Sequence, residues 1–334
     1  MKRFVKLAFG LLILAGLAAA CSNGGNEEPK DEKEPAEEEE TPADDNGEPV
    51  TKEQFPEEFL AGNFEKIYNQ TSDSFQAMVT LDQFSDIGKE FNEGVESYQI
   101  VSDMPFQGVT EAQWLSDGGD KGIRVYFGGG GTIEGLQVLT VTSNQDSDDT
   151  YTENTYQMPV NEEWLTFWGG TNELVNYHYP LESQRYSYDL VIAEEGHSFD
   201  GNAADNESYF AFGKDVVAPL AGTVVSVENE IADNTPTVDT NTENPLGNHV
   251  IIEHENGEYS FIAHFKQGSV LVKEGDEVNA GDLLGHAGNS GNSSEPHIHY
   301  HVGVSPDWQE TVSLRIKFEN GKEPVRGDAV TGFE

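Results

Sequence analysis

Hydrophobic positions change their rhythm several times along the chain. Residues 7–17 form an apolar run behind Lys2, Arg3 and Lys6. A run that short suits the core of a secretory signal and not a membrane span of about 20 residues. From 27 to 58 apolar positions nearly vanish among Glu, Pro and Asp, so burial there cannot offset the entropy of ordering. Helical spacing follows: Phe55, Phe59, Leu60, Phe64, Ile67 and Tyr68 predict one helix, and Phe75, Met78, Leu81, Phe84, Ile87 and Phe91 a second. Strand-like runs come next, at 122–127 and 136–142. The glycines at 128–131 between them are followed by neither Lys-Ser/Thr nor a helix, so they predict a hairpin turn and not a phosphate loop. Asp117 and Asp120 lack the later ligands of a calcium loop and predict a turn. Beyond about 160 the helical period fades. Short apolar runs at 216–218, 223–227, 249–254, 259–264, 283–286 and 297–302 are punctuated by Gly and Asn at hairpin spacing, an all-β signature.

These rhythms predict an α+β N-terminal domain over 55–142, a polar linker over 143–159 and a mainly-β C-terminal domain over 160–334. A signal over 1–20 and an acidic tether over 21–54 precede them. The charge sharpens this picture. Sixty-one Asp and Glu against 18 Lys and Arg give a net charge of −43, which repels phosphate backbones and excludes nucleic acid as a partner. The tether accounts for only part of it, so the folded segments are acidic as well. A single Cys among 334 residues rules out a disulfide framework and any thiolate-rich metal site. That Cys, Cys21, closes the string Leu17-Ala18-Ala19-Ala20-Cys21, which resembles a bacterial lipoprotein cleavage box. The resemblance implies acylation of Cys21 and a lipid anchor on the extracytoplasmic face of the membrane.

All nine His lie between 178 and 301, so imidazole chemistry belongs to the second folded segment. The run Pro296-His297-Ile298-His299-Tyr300-His301 puts three His on one face of a strand, about 6.6 Å apart per pair. Ile298 and Tyr300 pack the other face. Two neighbouring imidazoles on one face suit a metal, one as ligand and one beside bound water. No serine nucleophile elbow and no catalytic Cys accompany them, so covalent catalysis is not expected.

A series of ordered blocks surrounds that strand: Gly247-Asn248-His249, then Ala263-His264, Ala280-Gly281-Asp282, Gly288-Asn289-Ser290-Gly291, and last the His-x-His strand. In that order and spacing, residues 185–303 resemble the LytM/lysostaphin-type zinc endopeptidases that cut peptidoglycan cross-bridges. The resemblance implies an antiparallel β-sheet groove, one zinc ion, and peptidoglycan peptide stems or cross-bridges as partner. It assigns His299 and Asp189 as zinc ligands and His264 and His297 as catalytic His. Residues 55–142 resemble the small α+β domain of unknown function that precedes hydrolase domains in Gram-positive lipoproteins.

One position departs from the family pattern. The His that leads its His-x-x-x-Asp block is Arg185 here, and a guanidinium, always protonated, cannot ligate zinc. Either the metal is lost and the domain survives as a wall-binding or hydrolase-regulating member, or another His supplies the ligand. His178 is the candidate, because a hairpin pivoting at 183/184 sets it opposite Asp189, with Cβ atoms about 4.5–5.5 Å apart. His197, in a polar stretch the family's short form lacks, ranks below it. His249, His254 and His286 are read as structural or solvated. His301, where relatives commonly carry Glu, is read as a partner to a ligand imidazole at most.

Overall fold

The computed structural model describes residues 48–333. The expected signal, Cys21 and most of the tether lie outside the described residues. What is described of the tether's end is packed: Val50 is buried, and its N–H and C=O both bond the Gln70 side chain. Val50 is an apolar residue in an otherwise acidic run.

The first unit is α+β. Four short helices, α1 (Phe55–Leu60), α2 (Phe64–Tyr68), α3 (Asp73–Met78) and α4 (Leu81–Phe91), stand where two were expected. Capping explains the extra break before α4. Thr80 caps its N-terminus in a reciprocal box with Gln83, satisfying donors that a continuous helix would have paired internally. The helices cover one face of an antiparallel sheet of β1 (Tyr98–Phe106), β2 (Val109–Ser116), β3 (Lys121–Phe127) and β4 (Ile133–Thr140). Phe55, Phe59, Phe64, Phe75, Phe84 and Trp114 fill the space between. The strands β1 and β2 were not foreseen. A bulge between Ile100 and Ser102 and the proline near its end interrupt the alternation of β1.

The 143–159 segment is no free linker. It forms α5 (Gln145–Asp148) and β5 (Tyr151–Tyr156). The polar Thr- and Glu-rich face of β5 hid a strand whose Tyr156 is fully buried.

The second unit is a large antiparallel sheet. Its strands are β6 (Trp164–Trp168), β7 (Tyr188–Val191), β9 (Gly222–Glu228), β10 (Asn248–Glu253), β11 (Tyr259–Phe265), β12 (Glu277–Val278), β14 (Ile298–Gly303), β15 (Ser313–Phe318) and β16 (Ala329–Val330). A separate pair, β8 (Asp215–Val217) and β13 (Leu283–His286), packs beside it. The main order is β12-β9-β10-β11-β14-β7-β6-β16, with β15 joining β14 to β5, the last contact parallel. The six strands expected from the alternation pattern fall within one or two residues of these bounds. Ile298, Tyr300, Leu190, Val250 and Ile262 line the core on one face, which leaves the opposite face of β7, β11 and β14 for chemistry.

The two units touch through a buried charge cluster. Arg326 donates Nε and a terminal nitrogen to the two oxygens of Glu111 on β2, both at 2.8 Å. Its guanidinium lies 3.9 Å from the Trp168 ring centroid. Burial opposes the Glu111 charge, but Arg326 and Arg124 outweigh it and hold its carboxyl below the usual range. Removing one partner strands a buried charge. Arg326→Met should therefore lower unfolding free energy by roughly 3–5 kcal/mol, read from denaturant midpoints at pH 7.

Candidate active site

The register of β7, β14 and β11 builds the floor of the site. His299 on β14 sits opposite Asp189 on β7 and opposite Ala263 on β11. Directly opposed residues share a face, so the two donors stand side by side and the small Ala263 leaves room beside them. His299 Nδ1 lies 2.9 Å from Asp189 Oδ1. On the far side of the ring, His299 Nε2 meets His301 Nδ1 at 2.9 Å. That contact fixes which His299 nitrogen faces the carboxylate. His301 in turn lies parallel to Phe261, with centroids 4.4 Å apart, and its Nε2 is buried without a partner.

His264 reaches the same face by a different route. At the end of the β10–β11 pairing, Asn248 opposes Phe265 and His249 opposes Ala263. His264 is thus the extra residue of a bulge, with φ +70°. Bulges re-aim side chains, and a non-glycine residue held at positive φ is strain that packing must hold in place. The ring lies 4.7 Å from that of His297 and 5.9 Å from that of His299. His264 Nδ1–H donates to Ser290 O at 2.8 Å, and His297 Nδ1–H donates to Glu295 O at 2.8 Å. Both rings therefore turn their Nε2 away from those carbonyls, and that of His297 lies 3.8 Å from Asp189 Oδ1. Burial, reinforced by the neighbouring imidazoles, pushes His264 well below the ordinary range.

His178 comes to the site, but not on a hairpin. The strand opposite Asp189 on its free side is β6, with Trp168 as the paired residue. Residues 169–187 form turns and carry no strand. The expected 178–189 register is thus replaced by a loop that folds over the end of β7. The proline and the polar residues at 180–184 favour turns, and β7 already has two strand partners. His178 Nε2 nevertheless lies 3.6 Å from Asp189 Oδ2, and the His178 ring lies 4.9 Å from that of His299.

Asn176 holds that geometry. It is fully buried, and its Nδ2 donates to the carbonyls of Gly170, Arg185 and Ser187. Its Oδ1 accepts from the backbone N–H and from Nδ1–H of His178, both at 3.1 Å. The tautomer is set in this way, leaving Nε2 directed at the site. Sequence reasoning missed Asn176. The Asn-x-His spacing was the available signal, since an Asn side chain commonly bonds the backbone two residues on. Tyr177 was missed too. Its ring lies 3.9 Å from the His178 ring, with its edge against Trp168.

One ligand atom each from His178, Asp189 and His299 lies within 4.8 Å of the others. Donors on one tetrahedral zinc stand about 3.4 Å apart, given bonds of about 2.1 Å. Burial pushes His178 down to about 3, which keeps it neutral. Asp189 would be raised by burial, but the imidazoles of His178, His297 and His299 outweigh this and hold it ionised. Two imidazole nitrogens and one carboxylate, with the His178 tautomer fixed from behind by Asn176, fit a zinc ion.

The remaining His are engaged elsewhere. His197 is exposed, with Nδ1 3.2 Å from Gln107 Oε1. His249 and His254 donate Nδ1–H to Gly247 O and Ala221 O, and His286 pairs with Asp215 near the surface. Arg185 turns away from the site, donating to Tyr179 O at 3.0 Å and Ser147 Oγ at 2.9 Å.

Residues 208–310 match Peptidase family M23. The match includes His264, His297 and His299 and begins after Asp189. Among curated proteins, the chain is 35% identical over 95 residues to an uncharacterized metalloprotease of Buchnera aphidicola subsp. Baizongia pistaciae, covering 26% of this chain and 24% of that protein. It is 38% identical over 58 residues to the peptidoglycan DD-endopeptidase ShyA of Vibrio cholerae, covering 17% of this chain and 13% of that protein. The chain thus spans at most a quarter of either relative's length. Among solved structures it is similar to the catalytic domain of lysostaphin from Staphylococcus simulans, at 18% identity and a TM-score of 0.28, covering 46% of this chain and 88% of that one.

Glu295, beside catalytic candidate His297, generates a prediction. Burial pushes its carboxyl up to about 7, against one hydrogen bond from Ser198 Oγ. A carboxyl raised on folding favours the native state only while protonated. Stability is then lost as pH rises from about 4.3, where the unfolded group titrates, through the folded value. Glu295→Gln should remove that loss, raising the thermal midpoint more at pH 8 than at pH 5.

Proposed function

We propose that this chain is a zinc metalloendopeptidase that hydrolyses peptide bonds in cell-wall peptidoglycan, held at the outer face of the membrane by a lipid anchor on Cys21. The observation that carries the reading is the convergence of His178, Asp189 and His299 beside two further imidazoles, those of His264 and His297. The M23 match and the relative named as a peptidoglycan DD-endopeptidase support the reaction and substrate class. The single Cys, placed directly behind a signal-like run, supports the anchor.

A zinc ion bound by three protein donors keeps an open position and supplies Lewis acidity towards water and the scissile carbonyl. The chain's own residues do the rest. His264 is kept neutral by burial and holds its Nδ1 proton on Ser290 O, so its Nε2 is free to accept a proton. His297 is oriented the same way by Glu295 O. The pair divides two tasks between them, taking a proton from the attacking water and delivering one to the departing amine. Asp189 brings the one negative charge to the donor set.

The family departure at Arg185 leaves the donor count intact on this reading, since His178 supplies the nitrogen. The test is zinc content and digestion of purified peptidoglycan, with mass analysis of the released fragments. The unsubstituted chain should bind one zinc ion and release new amino termini. His178→Ala and His299→Ala should lose zinc and digestion together, while His197→Ala keeps both. His297→Ala should retain zinc and lower turnover by about 10²–10⁴-fold. A chain that binds no zinc yet still binds peptidoglycan would favour the regulator reading. For the anchor, labelling with a fatty-acid analogue in cells should be lost in Cys21→Ala, with release of the protein from the membrane fraction.

A further inference from the structure

The third metal donor sits on an irregular loop, and part of what holds the loop comes from the other unit. We propose that the N-terminal α+β unit is part of the metal site's scaffold, with Leu174, Arg124 and Gly122 as positioning residues for His178. The proposal rests on the zinc reading above.

Strands fix Asp189 and His299 through backbone pairing. No such pairing fixes His178, and an unpaired loop loses conformational entropy when it orders. Contacts with residues before 150 compensate on both sides of it. On the N-terminal side, Leu174 is fully buried. A Cβ on Gly122 of β3 would stand 3.1 Å from both Leu174 methyls and from Val141 Cγ2. The bare glycine face is therefore the notch that receives Leu174. Arg124, two residues along β3, donates to the Leu174 carbonyl, and its own guanidinium is steadied by Gln137 at 3.2 Å and Glu111 at 3.3 Å.

On the C-terminal side, Tyr179 is buried and its hydroxyl donates to Asp148 at 2.7 Å while accepting from the Asn144 N–H at 2.8 Å. Beneath the loop, Trp168 stacks with Arg326, which is clamped by Glu111 of β2, and Trp168 meets Tyr177 edge-on. Leu174 lies four residues before the donor and Tyr179 one after it. A shift of a few tenths of an ångström at Leu174 is passed through the Asn176 bonds to the imidazole. Groups that orient a ligand from behind typically govern metal affinity by 10–100-fold.

The experiment measures zinc affinity of the full chain by competition with a chromophoric chelator at 25 °C, with circular dichroism confirming that each variant is folded. Leu174→Ala should weaken zinc binding about 10–100-fold. Gly122→Ala, which adds one methyl at a backbone position without positive φ, should weaken it severalfold, and Leu174→Met should restore most of the affinity. Phe84→Leu perturbs the same unit's core away from the notch and should leave zinc affinity unchanged. Equal affinity in folded Leu174→Ala and the unsubstituted chain overturns the proposal, as does an equal loss in Phe84→Leu. An unsubstituted chain that binds no zinc overturns the metal reading itself, and the positioning role with it.

Discussion

The pairing of β7 with β14 is the constraint on which the site depends. It sets Asp189 beside His299 on one face while Tyr188, Leu190, Ile298 and Tyr300 enter the core on the other. A slip of one residue would bury the carboxylate among aliphatic side chains and expose the core residues. The apolar alternation that stabilises the sheet therefore also enforces the donor geometry. Without that register, Asp189 would meet desolvation with no imidazoles to offset it, and a buried carboxyl so placed would take up a proton. Packing energy and site electrostatics are, at this point, the same constraint.

The other groups reach the face by devices that cost more. His264 needs a bulge and a left-handed backbone to arrive. His178 needs a turn-rich loop whose carbonyls are gathered by one buried amide, that of Asn176. Each device depends on tertiary contacts, so each is a place where the surrounding structure determines the chemistry.

This division explains what the sequence disclosed. The face-sharing of His297, His299 and His301 follows from the period of a strand, and that local rule needs no knowledge of the rest of the fold. The core strands of the second unit were legible for the same reason. His178 was reached through a hairpin that does not exist. The geometry that brings it near Asp189 comes from loop closure over β7, which no short-range pattern encodes. β5 escaped notice because four of its six residues are polar, and even one of its two buried positions, Thr152, is polar. The four helices of the first unit read as two because hydrophobic spacing persists across their caps. The Arg185 departure was visible, whereas its consequence depended on where the guanidinium points. In the fold it grips Tyr179 O and Ser147 and so fastens the very loop that carries His178.

The parallel contact between β5 and β15 bears on where this chain can be divided. The Glu258 carboxylate, from the β10–β11 hairpin, accepts bonds from the Glu153 and Asn154 amides, the Asn154 side chain and the Tyr156 hydroxyl. Cutting at residue 160 would strip those donors at once and uncover the flank of Ile316 and Phe318. A piece excised there would then carry a bare strand margin and a Glu258 carboxyl stripped of its hydrogen-bond donors. Any truncated form meant to stay soluble has to begin upstream of Tyr151.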